Sequence, residues 1–208
     1  MKKVGILGSG AVGITLANGL SKIGYEVTIG NRKGNTVDKW DGTVGTYSEV
    51  SSDCELIILA VKGTAAESVI ESVKDNLAGK TIIDTTNPIS DKPADEGVLN
   101  YFTSLDESLM ERLQVIAPNA NFVKAFNSVG NAFMVNPNFK DGKPTMFICG
   151  NDEKAKNEVS KILIDIGWES EDMGGVKSAR AIEPLCILWC IPGFIKNDWS
   201  HALRVLRP

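Results

Sequence analysis

The stretch over residues 2–32 constrains the fold more than any other part of the chain. It begins with a short apolar run over 4–7, of the kind that a fully buried parallel strand shows. Further along, apolar residues at helical spacing predict a helix, with Gly24 at its C-cap position. Residues 25–29 then indicate a second strand. Between the first strand and the helix lies a hexad that fits G-x-G-x-x-G, namely Gly8, Ser9, Gly10, Ala11, Val12 and Gly13. Strand, glycine turn, helix and strand in this order predict a dinucleotide-binding unit.

Each glycine of the hexad has a separate physical task. Gly8 permits a tight turn, Gly10 lets the backbone approach a pyrophosphate, and Gly13 lets the helix pack closely on the strand. The helix N-terminus then offers unpaired N–H groups and the positive end of its dipole to phosphates. A glycine-rich turn with no ligand is the alternative, but the complete unit around the hexad favours nucleotide binding.

The end of the second strand indicates which nucleotide is bound. An NAD site places Asp or Glu there, to accept hydrogen bonds from the ribose 2′-hydroxyl. Here the chain carries Gly30, Asn31, Arg32 and Lys33 instead. Arginine offers a planar fork of donors to a 2′-phosphate and lysine adds a point charge, whereas a carboxylate would repel the phosphate. The sequence therefore favours NADP(H) over NAD(H), with a solvated basic turn as the alternative.

Composition and charge exclude several classes of protein. Of the 208 residues 23% are charged, and the net charge is −4, so we expect no nucleic-acid surface. The first residues lead directly into a predicted strand, from which we expect no signal peptide. The most apolar late run, over 185–195, is too short to span a bilayer, and we expect no membrane insertion.

The chain offers few residues for metal or acid–base chemistry. It has one histidine, His201, near the end of the chain, which nearly excludes a zinc site or a Ser-His-Asp triad, so we expect no metal site. Four cysteines lack metal or redox spacing: Cys54, Cys149, Cys186 and Cys190. Although the last two could share a helix face, we expect all four to be small buried hydrophobes in a reducing cytoplasm.

The rest of the chain continues the alternation of strands and helices. Residues 34–47 are predicted to form a loop with a short helix at 36–40. Strands are predicted over 56–61, 79–85, 121–126, 145–150 and 167–173, and helices over 48–52, 63–76, 104–113, 152–166 and from 178 to a break at Pro192 and Gly193. Six or seven strands without a linker predict one α/β domain over 1–208. We expect a Rossmann-like, doubly wound and mostly parallel sheet, with C-terminal helices from about residue 176 completing the site or a dimer interface.

Two strand ends in this fold are candidate site positions. Ala60, Val61 and Lys62 end the third predicted strand, where ligands of open α/β sheets bind. Asn87 and Pro88 leave the fourth, where the proline either aims the amide towards the crevice or simply marks a turn. The polar loop over 89–102 that follows is predicted to be a lid.

Lys124 is unusual because it lies in an otherwise apolar predicted strand. Its ammonium either snorkels to the surface or points at the crevice. In the second case it is the candidate to deliver a proton, if the reaction needs one.

The C-terminal region carries more apolar surface than a small monomer is expected to bury. Phe194, Trp199 and Leu203 follow the apolar helix, in which Arg180 and Glu183 are spaced to pair with each other. We expect a homodimer, with a locally docked helix as the alternative.

Several segments together resemble the NADPH-dependent oxidoreductases of the coenzyme F420 (deazaflavin) reductase type. They are GILGSGAVG, IGNR, the strand end over 84–88, VKAFNSVG, MFICGND and SARAIEPLCILW. The same module is similar to the reductase domain of the six-transmembrane epithelial metalloreductases. The resemblance covers nearly the whole chain, and KAFN together with A-R-x-x-E-P-L is its most specific part.

The resemblance implies direct hydride transfer between NADP(H) and a planar acceptor, a deazaflavin or a flavin, stacked on the nicotinamide. It also implies residue roles. Ser9, Ala11 and Val12 would line the pyrophosphate, and Asn31, Arg32 and Lys33 would hold the 2′-phosphate. Ala60, Val61, Asn87 and Pro88 would contact the ribose and the nicotinamide, and Ala125, Phe126 and Asn127 would face the acceptor.

Two other functions remain open at this stage. The chain could reduce an imine or a 2-keto acid, although enzymes of that kind normally bring extra helices that this chain lacks. It could also be a redox sensor that holds NADP(H) without turning it over. A crevice that is open beside the nicotinamide position argues against the sensor.

Overall fold

The computed structural model describes residues 2–208, which form one eight-stranded sheet flanked by helices. The strands are β1 Lys3–Leu7, β2 Glu26–Asn31, β3 Thr43–Thr46, β4 Leu56–Leu59, β5 Thr81–Asp84, β6 Asn121–Lys124, β7 Thr145–Gly150 and β8 Glu169–Asp172. The α-helices are α1 Ala11–Lys22, α2 Tyr47–Asp53, α3 Gly63–Val73, α4 Leu109–Ile116, α5 Glu153–Asp165, α6 Ala179–Ile182 and α7 Leu185–Lys196.

The strand order is β3-β2-β1-β4-β5-β6-β7-β8. Every neighbouring pair is parallel except β6 and β7, so β7 and β8 run against the other six. The chain winds outward from β1 in one direction and from β4 in the other. The point between β1 and β4 is therefore the topological switch point, where open α/β sheets bind ligands. The predicted Rossmann-like, mostly parallel fold is confirmed.

The core has two layers, one on each face of the sheet. Alternate residues of the central strands point to opposite faces, so that Ile6 and Ile58 pack on one side and Leu7 and Leu59 on the other. The first face is covered by α1 and α5, through Leu16, Leu20, Val159 and Leu163. The second face is covered by α2, α3 and α4, through Val50, Ile70, Leu109 and Leu113.

The prediction for residues 34–47 was wrong in one respect. Instead of a loop with a helix at 36–40, this part of the chain contains the edge strand β3, in which Gly45 pairs with Gly30 of β2. A four-residue edge strand with partly exposed side chains has no apolar run that periodicity could detect.

The helix predicted over 104–113 begins later than expected. Leu105, assigned to its apolar stripe, is 76% exposed, and the helix starts at Leu109. The start is set by a capping box, in which the Ser108 side chain accepts from Glu111 N and the Glu111 carboxylate accepts from Ser108 N.

The C-terminal helix is longer than predicted. Pro192 and Gly193 do not break it, because α7 continues to Lys196 and ends at Asn197, which adopts a left-handed conformation with φ of 53°. The whole helical stretch Val176–Lys196 has 21 residues and a mean hydropathy of 1.3, so by length and composition it could span a membrane. The prediction considered only the run over 185–195, and the helical stretch that contains it is longer. In the fold, however, Cys186, Trp189 and Cys190 pack against protein, including residues 89–101.

Candidate active site

The fingerprint glycines show where the fold leaves no room for a side chain and where it leaves space. Gly8 has φ of +132°, and a Cβ built there would lie 2.2 Å from the Ala60 carbonyl oxygen. A Cβ on Gly13 would lie 2.1 Å from the Gly8 carbonyl oxygen, so this glycine is required for the packing of α1 on the turn. A Cβ on Gly10 would meet nothing within 4 Å, which leaves open space above the turn for a ligand.

A cavity of about 800 Å³ lies over this turn, at the switch point. Its walls contain eleven of the predicted cofactor residues, namely Gly8, Ser9, Gly10, Ala11, Val12, Asn31, Arg32, Lys33, Ala60, Val61 and Lys62. Asn35, Tyr47, Thr64 and Ala65 also line it, and the sequence did not indicate them as ligand contacts. Tyr47 was missed because it follows β3, the strand that was not predicted.

Two helices begin at this cavity without a side-chain cap. Gly10, which has no side chain, is the N-cap of α1, and Lys62 is the N-cap of α3 without a side-chain bond to the first turn. By contrast, α2, α4 and α5 are capped by side chains of Thr46, Ser108 and Asp152. The N–H groups at the start of α1 and α3 are thus available to an anionic ligand in the cavity.

The basic residues at the end of β2 lie exposed on the cavity rim. Within residues 2–208, neither Arg32 nor Lys33 forms an ion pair with a carboxylate. All other arginines donate to protein acceptors: Arg112, Arg180, Arg204 and Arg207. The donor fork of Arg32 is therefore available to a ligand.

A second cavity, of about 360 Å³, adjoins the first at the ends of β4 and β5. The two share wall residues, so they form one continuous crevice: Val12, Ala60, Val61, Lys62 and Thr64 line both. Asn87 lines the second cavity as predicted, together with Thr85, Thr86, Ile89, Ser90 and Asp91. Pro88 lies buried beneath the wall and lines neither cavity.

Asn87 is held by the segment that follows β6. Its Nδ2 donates to the Asn127 carbonyl at 2.7 Å, and its Oδ1 accepts from Asn127 Nδ2 at 3.2 Å. Ala125, Phe126 and Asn127 are 0%, 1% and 3% exposed and line neither cavity. The structure therefore places these three predicted acceptor contacts behind the wall that Asn87 forms, and not on its surface.

Lys124 lies in neither of the places that the sequence suggested. Its side chain is fully buried, and its Nζ lies 2.6 Å from Asp84 Oδ2 and 2.8 Å from Glu183 Oε1. It also donates to the Thr86 carbonyl at 2.9 Å, so all three ammonium protons have an acceptor. Burial alone would lower the pKa of the Lys124 ammonium, but the two carboxylates outweigh that effect and raise it. The group stays charged and lines neither cavity.

Glu183 joins this ion cluster to three other parts of the fold. Its carboxylate accepts from the backbone N–H groups of Leu109 and Met110, in the first turn of α4. Its carbonyl accepts from the Tyr101 hydroxyl at 2.8 Å, and the preceding carbonyl, of Ile182, accepts from Asn127 Nδ2. The predicted pair of Arg180 with Glu183 is not formed.

Arg180 binds a different carboxylate. Its guanidinium donates to both oxygens of Glu111, at 2.7 Å and 2.9 Å, and this contact lowers the pKa of Glu111 to about 2. The spacing of three residues placed Arg180 and Glu183 one turn apart but carried no information about these long-range partners.

The segment over 89–102 begins at the second cavity, which its first three residues line, and it is attached at both of its ends. Ile89 pairs with Tyr101, and Phe102 N donates to the Pro88 carbonyl. Its tip contacts α7, because a Cβ on Gly97 would lie 3.0 Å from Ile195 Cγ1. The predicted lid is thus a loop that rests on the C-terminal helix.

Residues 3–88 match a protein family described as NADP oxidoreductase coenzyme F420-dependent. This part of the chain is similar to these oxidoreductases. It is 27% identical over 215 residues to the F420-dependent NADP reductase of Methanothermobacter marburgensis, with 94% of this chain and 95% of the relative covered. It is also 32% identical over 197 residues to the rat metalloreductase STEAP3, covering 91% of this chain but 38% of that protein's length. The resemblance seen in the sequence is confirmed.

Solved structures agree with this relationship. A crystal structure from Arthrobacter sp. FB24, provisionally assigned as an F420-dependent NADP reductase, has a TM-score of 0.91 and 27% identity over 100% of both chains. An imine reductase from Streptomyces aurantiacus has a TM-score of 0.66 at 17% identity, covering 93% of this chain and 63% of that one. The second likeness concerns the fold alone.

Replacing Lys124 by methionine should destabilise the protein strongly. The variant leaves the carboxylates of Asp84 and Glu183 buried without their counter-ion, which we expect to cost about 3–5 kcal/mol of unfolding free energy at neutral pH. The loss should shrink as the pH falls, because the unpaired carboxylates can then take up protons. Urea unfolding measures both effects.

Lys74→Met is the matched control, since Lys74 forms an exposed pair with Glu71. It should leave the urea midpoint nearly unchanged. Adding Glu183→Gln to Lys124→Met should recover part of the lost stability. A Lys124→Met protein as stable as the wild type would contradict the structural role of the cluster.

Proposed function

We propose that the chain is an NADP(H)-dependent oxidoreductase that transfers hydride between the nicotinamide and a planar acceptor. The observation that carries the proposal is a continuous crevice at the switch point with a fingerprint turn at its floor and two unpaired cations, Arg32 and Lys33, on its rim. Positive charge at one end of the crevice, and an open cavity at the other, suit a phosphorylated dinucleotide with a second ring beside it.

The residues of the first cavity would bind the cofactor's phosphates. Ser9, Ala11 and Val12, at the start of α1, would hold the pyrophosphate through backbone N–H groups. Arg32 and Lys33 would pair with the 2′-phosphate, and the start of α3 at Lys62 and Gly63 would add further donors. The uncapped state of both helices supports this assignment.

The residues of the second cavity would orient the nicotinamide. Ala60, Val61 and Asn87 would lie against the ribose and the ring, while Pro88 fixes the wall from beneath. When bound, NADPH supplies the hydride itself, from C4 of the nicotinamide. The protein's contribution is to position the ring and to exclude water.

The acceptor that this arrangement suits best is a deazaflavin or a flavin. Support comes from the relative in Methanothermobacter marburgensis, an F420-dependent NADP reductase that aligns over nearly its full length. Stacking of two flat rings needs no acid–base residue. This agrees with the position of Lys124, which is fully buried and does not line the crevice. Asn127 would then act on the acceptor indirectly, by holding Asn87 in place, while Ala125 and Phe126 are buried behind the wall.

The open second cavity disfavours the sensor, which needs no room beside the nicotinamide. Reduction of an imine is disfavoured for another reason, because enzymes of that kind normally bring extra helices, and the imine reductase of similar fold aligns with this chain over only 63% of its own length. The rat relative is a metalloreductase, but this chain spans only 38% of its length. The comparison with that protein therefore does not favour metal reduction here.

We also propose that the protein is a homodimer in the cytoplasm. The C-terminal helices carry exposed apolar residues at seven-residue spacing, namely Ala181, Leu188 and Ile195. Pro184 and Ile191 lie between them. This narrow apolar stripe is of the kind that packs against another helix, and a second copy can present the same stripe about a twofold axis. Four free, buried cysteines suit a reducing compartment.

Anaerobic oxidation of NADPH tests the proposed reaction. NADPH absorbance would be followed with coenzyme F420, FMN, FAD, riboflavin or a ferric chelate as the acceptor. We expect multiple turnovers with the deazaflavin or with a flavin. Tight NADPH binding with no oxidation by any of them would contradict the proposed enzyme and favour the sensor.

Arg32→Ala should weaken NADPH binding about ten- to a hundredfold and leave NADH binding nearly unchanged. The expected loss is that of a charge-assisted hydrogen bond to a phosphate, about 1.5–3 kcal/mol. Calorimetric titration measures both affinities. Arg207→Ala is the control, because Arg207 pairs with Glu171 at the far edge of the sheet. Equal losses for both nucleotides would show that Arg32 does not bind the 2′-phosphate.

The dimer is tested by light scattering after size-exclusion chromatography. The wild type should have twice the 22.4 kDa mass of one chain, and the double variant Leu188→Lys, Ile195→Lys should have the mass of a monomer. Val115→Lys, at a site on α4 that is 79% exposed, should remain a dimer. A monomeric wild type would contradict the proposal.

A further inference from the structure

The side chain of Asn31 is used within its own loop. Its Oδ1 accepts from Lys33 N at 3.0 Å and from Asn35 N at 3.3 Å, while its Nδ2 donates to the Asn35 carbonyl at 2.7 Å. The carboxamide oxygen thus has both lone pairs engaged. One side chain therefore closes the whole turn over residues 31–35.

The backbone of the turn lies beside the neighbouring strand, with a left-handed glycine at the point of approach. Gly34 has φ of +67°, and a Cβ built on it would lie 3.4 Å from Thr46 N. Asn31 itself is the last residue of β2 and pairs with Thr46 in β3. The loop is therefore anchored to the sheet at its first residue and held there by the Asn31 amide.

Arg32 and Lys33 lie inside this closed turn, both exposed on the cavity rim. A free loop carrying two long, charged side chains would lose conformational entropy on binding a phosphate. A loop that already has its bound shape loses less, and its affinity is correspondingly higher.

We propose that Asn31 is a positioning residue that sets the selectivity for NADPH. It does not bind the 2′-phosphate itself, but holds the backbone that carries Arg32 and Lys33 in a binding-ready shape before the cofactor arrives. This revises the role that the family resemblance implied for Asn31, and it rests on the proposed function.

Aspartate cannot replace asparagine in this role. It keeps the two acceptor contacts to Lys33 N and Asn35 N, but it loses the donor to the Asn35 carbonyl and would bring two oxygens to the 2.7 Å that now separates donor and acceptor. It would also place a negative charge beside Arg32, at the position where NAD-binding chains carry an acid. Asn31→Asp should therefore favour NADH relative to NADPH.

Two measurements on Asn31→Ala separate positioning from direct contact. In the cofactor-free protein, amide hydrogen exchange by NMR should become about tenfold faster at Lys33 and Asn35, because their acceptor is lost. Calorimetry should show NADPH binding about tenfold weaker and NADH binding within twofold of the wild type. Asn35→Ala is the exchange control, since only the backbone of Asn35 takes part in the turn; it should leave exchange at Lys33 unchanged.

Three outcomes would overturn the inference, each in a distinguishable way. Weaker NADPH binding with unchanged exchange would mean that Asn31 contacts the phosphate directly. Equal losses of NADPH and NADH binding would mean that the turn supports the cavity in general and not the selectivity. A wild-type chain that binds neither nucleotide would refute the proposed function itself, and the selectivity with it.

Discussion

The buried ion cluster of Lys124, Asp84 and Glu183 is the interaction on which the rest of the structure depends. Two carboxylates and one ammonium lie in the protein interior, with side-chain exposures of 0%, 0% and 2%. Such burial is costly unless every charge has a partner. Here the excess negative charge meets the first turn of α4, where Leu109 and Met110 donate to Glu183 at the positive end of the helix.

The cluster holds the wall of the crevice from behind. Lys124 binds the carbonyl of Thr86, while Asp84 Oδ1 accepts from the Thr86 amide at 2.9 Å and from its hydroxyl at 2.7 Å. Thr86 is thus fixed on both sides, and the next residue, Asn87, is presented to the second cavity. The same cluster ties down the C-terminal helices through Glu183. A residue considered for proton delivery is in this way a structural support for the second cavity.

The sequence predicted which residues come together in the first cavity, because most of them are close in the chain. The fingerprint, the apolar β1 and the basic residues after β2 lie within 32 residues, and their geometry follows from the strand-turn-helix order. Strand β3 was not predicted, since its four residues at the sheet edge show no apolar pattern. The roles of Lys124 and Arg180 could not be predicted either. Their partners lie 40 or more residues away in the chain, and helical or strand periodicity contains no information at that distance.

If the crevice binds NADP(H) as proposed, the 2′-phosphate must contribute to the affinity. The most direct test is a calorimetric titration of the wild-type chain with NADPH and with NADH under identical buffer and salt. Charge-assisted contacts to a single 2′-phosphate predict that NADPH binds at least about tenfold more tightly. Equal affinities, or tighter binding of NADH, would contradict the account.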